Sequence, residues 1–100
     1  MIQYLILVKI KNAGLFADYV NGHLPTILKY GGKITFRSIE NSSVLGHEKW
    51  DAVVIQEWPS DSAFDLWWNS EEYQPWAKIR DSAASMSIIK CQNLLQSLSC

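Results

Sequence analysis

Gly32-Lys33-Ile34-Thr35-Phe36-Arg37-Ser38 and, after a link, Asp51-Ala52-Val53-Val54-Ile55-Gln56-Glu57-Trp58 are the segments whose reading decides the fold. Both alternate with a period of two, the pattern of strands that bury one face more than the other. In the first, Ile34, Phe36 and Ser38 share one face, and Lys33, Thr35 and Arg37 the other. In the second, Ala52, Val54, Gln56 and Trp58 oppose Val53, Ile55 and Glu57. Glu40-Asn41-Ser42-Ser43 is a turn, and Val44 to Trp50 is a short irregular link, so the segments are read as hairpin partners, strands 2 and 3 in chain order. Trp50, at the end of the link, is read as a cap on the core.

On the N-terminal side, Leu15 to Tyr30 carries Phe16, Tyr19, Val20, His23, Ile27 and Tyr30 on one helical stripe, with Gly31-Gly32 as a left-handed stop. Pro25, three residues after Gly22, removes a backbone donor and predicts a kink beside His23. Before this helix, Ile2 to Ile10 is rich in β-branched residues, apolar in the middle of both faces, and bounded by Lys11-Asn12-Ala13-Gly14; it is strand 1.

On the C-terminal side, Pro59 stops strand 3, and Ser60 or Asp61 caps a helix whose inner side bears Ala63, Phe64, Trp67 and Trp68. Asn69-Ser70 interrupts it. Ser70 then caps a second helical stretch with the stripe Tyr73, Trp76, Ala77, Arg80 and Ala84, its first turn distorted by Pro75. Met86 to Gln92 is read as strand 4, and residues 93–100 show no clear period and stay unassigned.

A chain of 100 residues with 48% apolar, 19% charged and twelve aromatic side chains is expected to form a single domain over 1–100. The net charge of −1, with scattered Lys and Arg, gives no footprint for nucleic acid or an anionic membrane surface. The apolar N-terminus has neither basic residues before it nor a small-residue cleavage site after it, and no run is long enough to span a bilayer. Cys91 and Cys100 belong to no metal-ligand spacing or disulfide framework, which suits reduced thiols in a cytoplasmic protein. No phosphate-binding loop, nucleophile elbow or zinc motif is present, so no metal and no cofactor is expected.

The order strand, helix, strand, strand, helix, strand predicts an α+β fold of ferredoxin-like type, βαββαβ, a four-stranded antiparallel sheet with two helices on one face. Strands 1 and 3 are nevertheless apolar on both faces. The uncovered side then calls for a partner, and a second copy packed sheet against sheet is the simplest one.

Several of these elements, in order, carry a family resemblance. Tyr19-Val20 followed by Pro25, Lys29-Tyr30-Gly31-Gly32-Lys33 leading to Arg37, Trp50, Val53 to Ser60, and Trp67-Trp68-Asn69-Ser70-Glu71-Glu72-Tyr73-Gln74-Pro75 with Arg80 together resemble the family called domain of unknown function 1330, over about residues 2 to 90. The resemblance implies a dimeric α+β barrel, the superfamily that also holds cofactor-independent monooxygenases and muconolactone isomerase-like proteins. It implies no particular reaction.

Four polar residues fall among apolar neighbours: His23, Arg37, Glu57 and Arg80. Buried charge needs a partner or a wet cavity. As hairpin neighbours, Arg37 and Glu57 are expected to approach one another or a shared space, either as a structural ion pair or as an anion-holding Arg beside a proton carrier. His23, Arg37 and Glu57 are the catalytic candidates. Tyr19, His23, Arg37, Trp67, Tyr73 and Arg80 are the ligand-binding candidates, the aromatic ones serving either as core or as the lining of a cavity.

The reading that follows is a homodimer that binds a small aromatic or carboxylated molecule between sheet and helices, with no nucleic acid or membrane partner. A cofactor-independent monooxygenase or isomerase is the alternative. A dimerisation module without a ligand is the third.

Overall fold

A computed structural model describes residues 1–92 of the chain; the unassigned tail, 93–100 with Cys100, lies outside them. The elements are β1 (Ile2–Ile10), α1 (Ala13–Lys29), β2 (Lys33–Ser38), β3 (Ala52–Trp58), α2 (Asp61–Trp68), α3 (Gln74–Ala83) and β4 (Ala84–Gln92). The strands lie in the order β2-β3-β1-β4, and every neighbouring pair is antiparallel. This is the expected ferredoxin-like arrangement. Its second helical region is divided in two, so three helices accompany the sheet.

Local chemistry sets most boundaries. Asn12 caps α1 by accepting from the Leu15 N–H at 3.0 Å, and Ser60 caps α2 by accepting from the Ala63 N–H at 3.1 Å. Gly31 takes the left-handed conformation after α1 (φ 92°), while the Gly32 N–H returns to the Ile27 carbonyl at 3.0 Å. Buried Ser70 joins α2 to α3: its hydroxyl donates to the Trp67 carbonyl at 2.7 Å and accepts from the Tyr73 N–H at 3.2 Å. Pro25 does not divide α1, which runs through it from Ala13 to Lys29. Gly22 has a different use, because a Cβ there would stand 2.1 Å from the Trp76 ring of α3.

The register assigns the two faces of the sheet. Tyr4, Ile6, Val8, Ala52, Gln56, Trp58 and Ala84 are buried and share the face that meets the helices. There Tyr4 and Trp58 join Tyr19, Ile27, Trp67 and Tyr73 in one core cluster. In β2, Ile34 pairs with Gln56, but Phe36 pairs with Ile55 and Arg37 with Val54, because a bulge between Ile34 and Phe36 inserts one extra residue. The expected faces of β2 are therefore corrected. Ile34 and Arg37 share the helix-covered face, and Phe36 lies on the other.

On that outer face, Phe36, Ile55, Leu5 and Ile89 are successive cross-strand partners and form one apolar row across all four strands. Phe36 and Ile89 at its ends are 49% and 46% exposed. Trp50 is not a core cap. It belongs to neither core cluster, and Lys9 Nζ lies over its ring at 4.8 Å.

Candidate functional site

Between the sheet and the helices lies a cavity of about 170 Å³. Its floor is the inner face of the sheet, including Ile6, Ile34, Val54, Gln56 and Ile88, and its roof includes Tyr19, Val20 and His23 of α1 with Phe64 and Trp67 of α2. Tyr73, in the turn before α3, joins this wall. Arg37 and Leu24 also line the space and reach solvent, which places them at its mouth. An apolar cavity of about 150 Å³ holds a benzene molecule, so this one accepts a single ring with small substituents.

The aromatic walls are tightly arranged. Tyr19 stacks on His23 with ring centroids 4.0 Å apart, and Trp67 meets Tyr73 at 4.1 Å. Trp67 Nε1 donates to Thr26 Oγ1 at 2.9 Å, which ties α2 to α1 beside Pro25. The Tyr19 and Tyr73 hydroxyls bond to one another at 2.7 Å, and Arg80 Nη1 donates to the Tyr73 oxygen at 3.0 Å. Burial raises the pKa of both phenols, most strongly for Tyr19, where the neighbouring Tyr73 adds to it. For Tyr73 the bonds from Tyr19 and Arg80 act against burial without reversing it. Both hydroxyls therefore stay protonated near neutral pH and are occupied with each other.

His23 is 8% exposed, and its Nδ1 lies 2.7 Å from the Tyr19 carbonyl and 3.2 Å from that of Val20. Carbonyls only accept, so Nδ1 carries the proton and Nε2 bears a lone pair. Burial lowers the His23 pKa, and the two carbonyls offset this only in part. The ring is neutral near pH 7. Gln56 is 3% exposed, and its Oε1 accepts from Trp58 Nε1 at 3.0 Å. An indole N–H can only donate, so this bond fixes the amide orientation and leaves the Gln56 NH₂ as the free end.

Five of the six ligand-binding candidates, Tyr19, His23, Arg37, Trp67 and Tyr73, line the cavity. Arg80 stands behind the wall instead, bonded to the Tyr73 hydroxyl, with its guanidinium 4.8 Å from the Trp68 ring and paired with Asp81 at 3.0 Å. Glu57 is not part of the site. The register puts it on the outer face, where Gln3 Nε2 donates to it at 3.4 Å and Lys33 Nζ lies 3.8 Å away. The expected approach of Arg37 to Glu57 fails because adjacent positions of β3 point to opposite faces, and the bulge sends Arg37 to the inner one.

Gln56 is the site residue that the sequence reading did not single out. Its signal was a lone amide on the apolar face of β3, between Val54 and Trp58. Among the described residues, no group of three or more His, Cys, Asp or Glu side chains is placed to hold a metal ion. No helix among them is long and apolar enough to cross a membrane.

No curated protein matches the sequence. The fold is similar to a protein of unknown function from Rhodopseudomonas palustris, at 26% identity and a TM-score of 0.86, over 93% of this chain and 82% of that one. It is also similar to SnoaB, described as a cofactor-independent oxygenase from Streptomyces nogalater, at 9% identity and a TM-score of 0.66 over 92% and 91% of the two chains. A dimeric protein of unknown function and ferredoxin-like fold from Bacteroides fragilis shares 13% identity, with a TM-score of 0.62 over 92% and 95%. At such identities the last two show the fold alone. The sequence profile of the family described as "Domain of unknown function (DUF1330)" matches residues 3–94, and the chain belongs to that family.

Proposed function

We propose that this protein is a homodimer that binds a small aromatic or carboxylated molecule in the cavity between sheet and helices. The observation that carries the reading is an aromatic-walled space of about 170 Å³ onto which two deeply buried polar side chains, His23 and Gln56, border. Arg37 at the mouth suits a carboxylate, since no hydrogen bond or ion pair among the described residues engages its guanidinium. The dimer rests on the apolar row Phe36-Ile55-Leu5-Ile89, which the helices of one copy do not cover, and the Bacteroides fragilis protein of similar fold is described as dimeric. The same reading places the protein in the cytoplasm, because its two cysteines form no disulfide framework in the sequence.

A thermal-shift screen of small acids and phenols tests it. A ligand bound only to the native state, at about 100 times its Kd, adds about 2.7 kcal/mol. For a domain of this size that raises Tm by about 10 °C or more. No shift with any compound contradicts the reading.

A second reading, a cofactor-independent oxygenase or isomerase, is favoured by one feature. The Nδ1–H of His23 is held by carbonyls, so its Nε2 can take a proton from a bound ring compound. SnoaB, similar in fold, is described as such an oxygenase. Turnover of a bound phenol that disappears in His23→Ala while binding persists supports this reading, and binding without turnover in the parent protein contradicts it.

A further inference from the structure

Of the polar groups that border the cavity, three are already engaged within the protein. The Tyr19 and Tyr73 hydroxyls are bonded to one another, and the Trp67 indole N–H is held by Thr26. Besides Arg37 at the mouth, two deeply buried side chains each keep a free nitrogen. Among the described residues neither His23 Nε2 nor the Gln56 NH₂ has a hydrogen-bond partner, although no fully buried side-chain nitrogen or oxygen lacks one. Neither nitrogen is therefore fully enclosed by protein, and both side chains line the cavity.

The hydrogen-bonding roles of these nitrogens are opposite, and each is set by a protein neighbour. With Nδ1–H directed at the Tyr19 and Val20 carbonyls, His23 Nε2 can only accept. With Oε1 held by the Trp58 indole, the free end of Gln56 can only donate. We infer that the cavity selects ring compounds carrying both a hydroxyl and a carbonyl-type oxygen, the hydroxyl donating to His23 Nε2 and the carbonyl accepting from the Gln56 amide. Gln56 is then a specificity-determining residue. A ring lacking either group leaves a buried protein nitrogen without a partner, which is the strongest basis a small site has for rejecting a near-isostere. The inference rests on the proposal that the cavity binds a ring compound, and it adds which ring.

The test is a calorimetric titration of the wild-type protein with three sets of probes. The three hydroxybenzaldehydes carry both hydroxyl and carbonyl, the three tolualdehydes keep only the carbonyl, and the three cresols keep only the hydroxyl. At least one hydroxybenzaldehyde is expected to bind about tenfold or more tightly than both its tolualdehyde and its cresol counterparts, the ratio that corresponds to one well-made hydrogen bond. Gln56→Met is expected to abolish the advantage over the cresol, and His23→Phe the advantage over the tolualdehyde.

Binding of all three sets with similar affinity overturns the polar selection while leaving the cavity as a ring-binding site. Binding of none overturns both. The comparison within the wild-type protein does not depend on whether either variant folds.

Discussion

Trp58 Nε1 donates to Gln56 Oε1 at 3.0 Å, with both residues on the inner face of β3 and both buried. Two side chains separated by one residue thus fix each other. Replacing Gln56 with Met keeps the volume but strips the indole N–H of its acceptor. An orphaned buried donor costs about 1–3 kcal/mol. Urea unfolding of Gln56→Met is expected to show a loss in that range, and an unchanged midpoint would mean that the indole finds another acceptor.

Glycine packing makes a ranked prediction. A Cβ on Gly32 would stand 2.6 Å from the ring of Trp58, which is 0% exposed, whereas one on Gly22 would stand 2.1 Å from the half-buried ring of Trp76. Trp76 can swing outward and Trp58 cannot. Overpacking of a core costs about 1–3 kcal/mol, and alanine in mid-helix regains up to about 1 kcal/mol over glycine. Gly32→Ala, which has no such helical compensation, is expected to lose clearly more stability than Gly22→Ala. Thermal unfolding of the two variants checks the order, and equal midpoints would contradict it.

Acid sensitivity follows from His23. Its pKa in the folded protein lies below the ordinary value of 6.5, mainly because burial penalises the charged ring. The unfolded chain therefore takes up the proton first as pH falls below about 6.5, and stability declines from there toward the folded pKa. Glu72 acts in a separate window. Bonds from Lys29 and Tyr30 hold its pKa down to about 2, against a usual 4.5, so its contribution is lost only as pH falls below 4.5. Urea midpoints at pH 7.5 and 5.5 are expected to fall in the parent protein and to fall less in His23→Phe. Equal slopes would place the acid sensitivity elsewhere.

The outer row gives the test of the dimer. Ile55 stands between Phe36 and Leu5 in the row that crosses the sheet. Ile55→Lys puts a charge at the middle of that surface without touching the cavity, because the side chain points to the opposite face. Light scattering at micromolar concentration is expected to give a dimer for the parent chain and a folded monomer for the variant. A monomeric parent would contradict sheet-to-sheet pairing.

Much of this architecture was legible because its signals are local. Alternation in β1 and β3, the Ser60 cap, Gly31 after α1 and the stripe Tyr19-His23-Ile27 each report their own surroundings, and each stands where it was read. The face of Arg37 was not legible. Alternation from Lys33 to Ser38 fits a regular strand, and only pairing with β3 reveals the extra residue that carries Arg37 to the inner side. The start of β4 was hidden for a related reason. Ala83-Ala84 passes from helix to strand with no turn residue between, and the Ala83 carbonyl is held by the N–H groups of Lys11 and Asn12, a contact across the fold. Gln56 carried a signal that is plain only beside Trp58, since a lone amide on a strand is ordinarily a surface residue.

The proposed binding function requires that small ring compounds enter the space beneath α1. Two side-chain resonances report it directly in a nitrogen–proton correlation spectrum: the Trp67 indole N–H, bonded to Thr26 at the cavity wall, and the Gln56 NH₂, whose oxygen is bonded to Trp58. Titration with a hydroxybenzaldehyde is expected to shift both, together with the backbone amides of Tyr19 and His23, and to leave those of Leu5 and Ile55 on the outer face in place. Shifts confined to the outer face, or no shifts at a saturating concentration, would contradict the account.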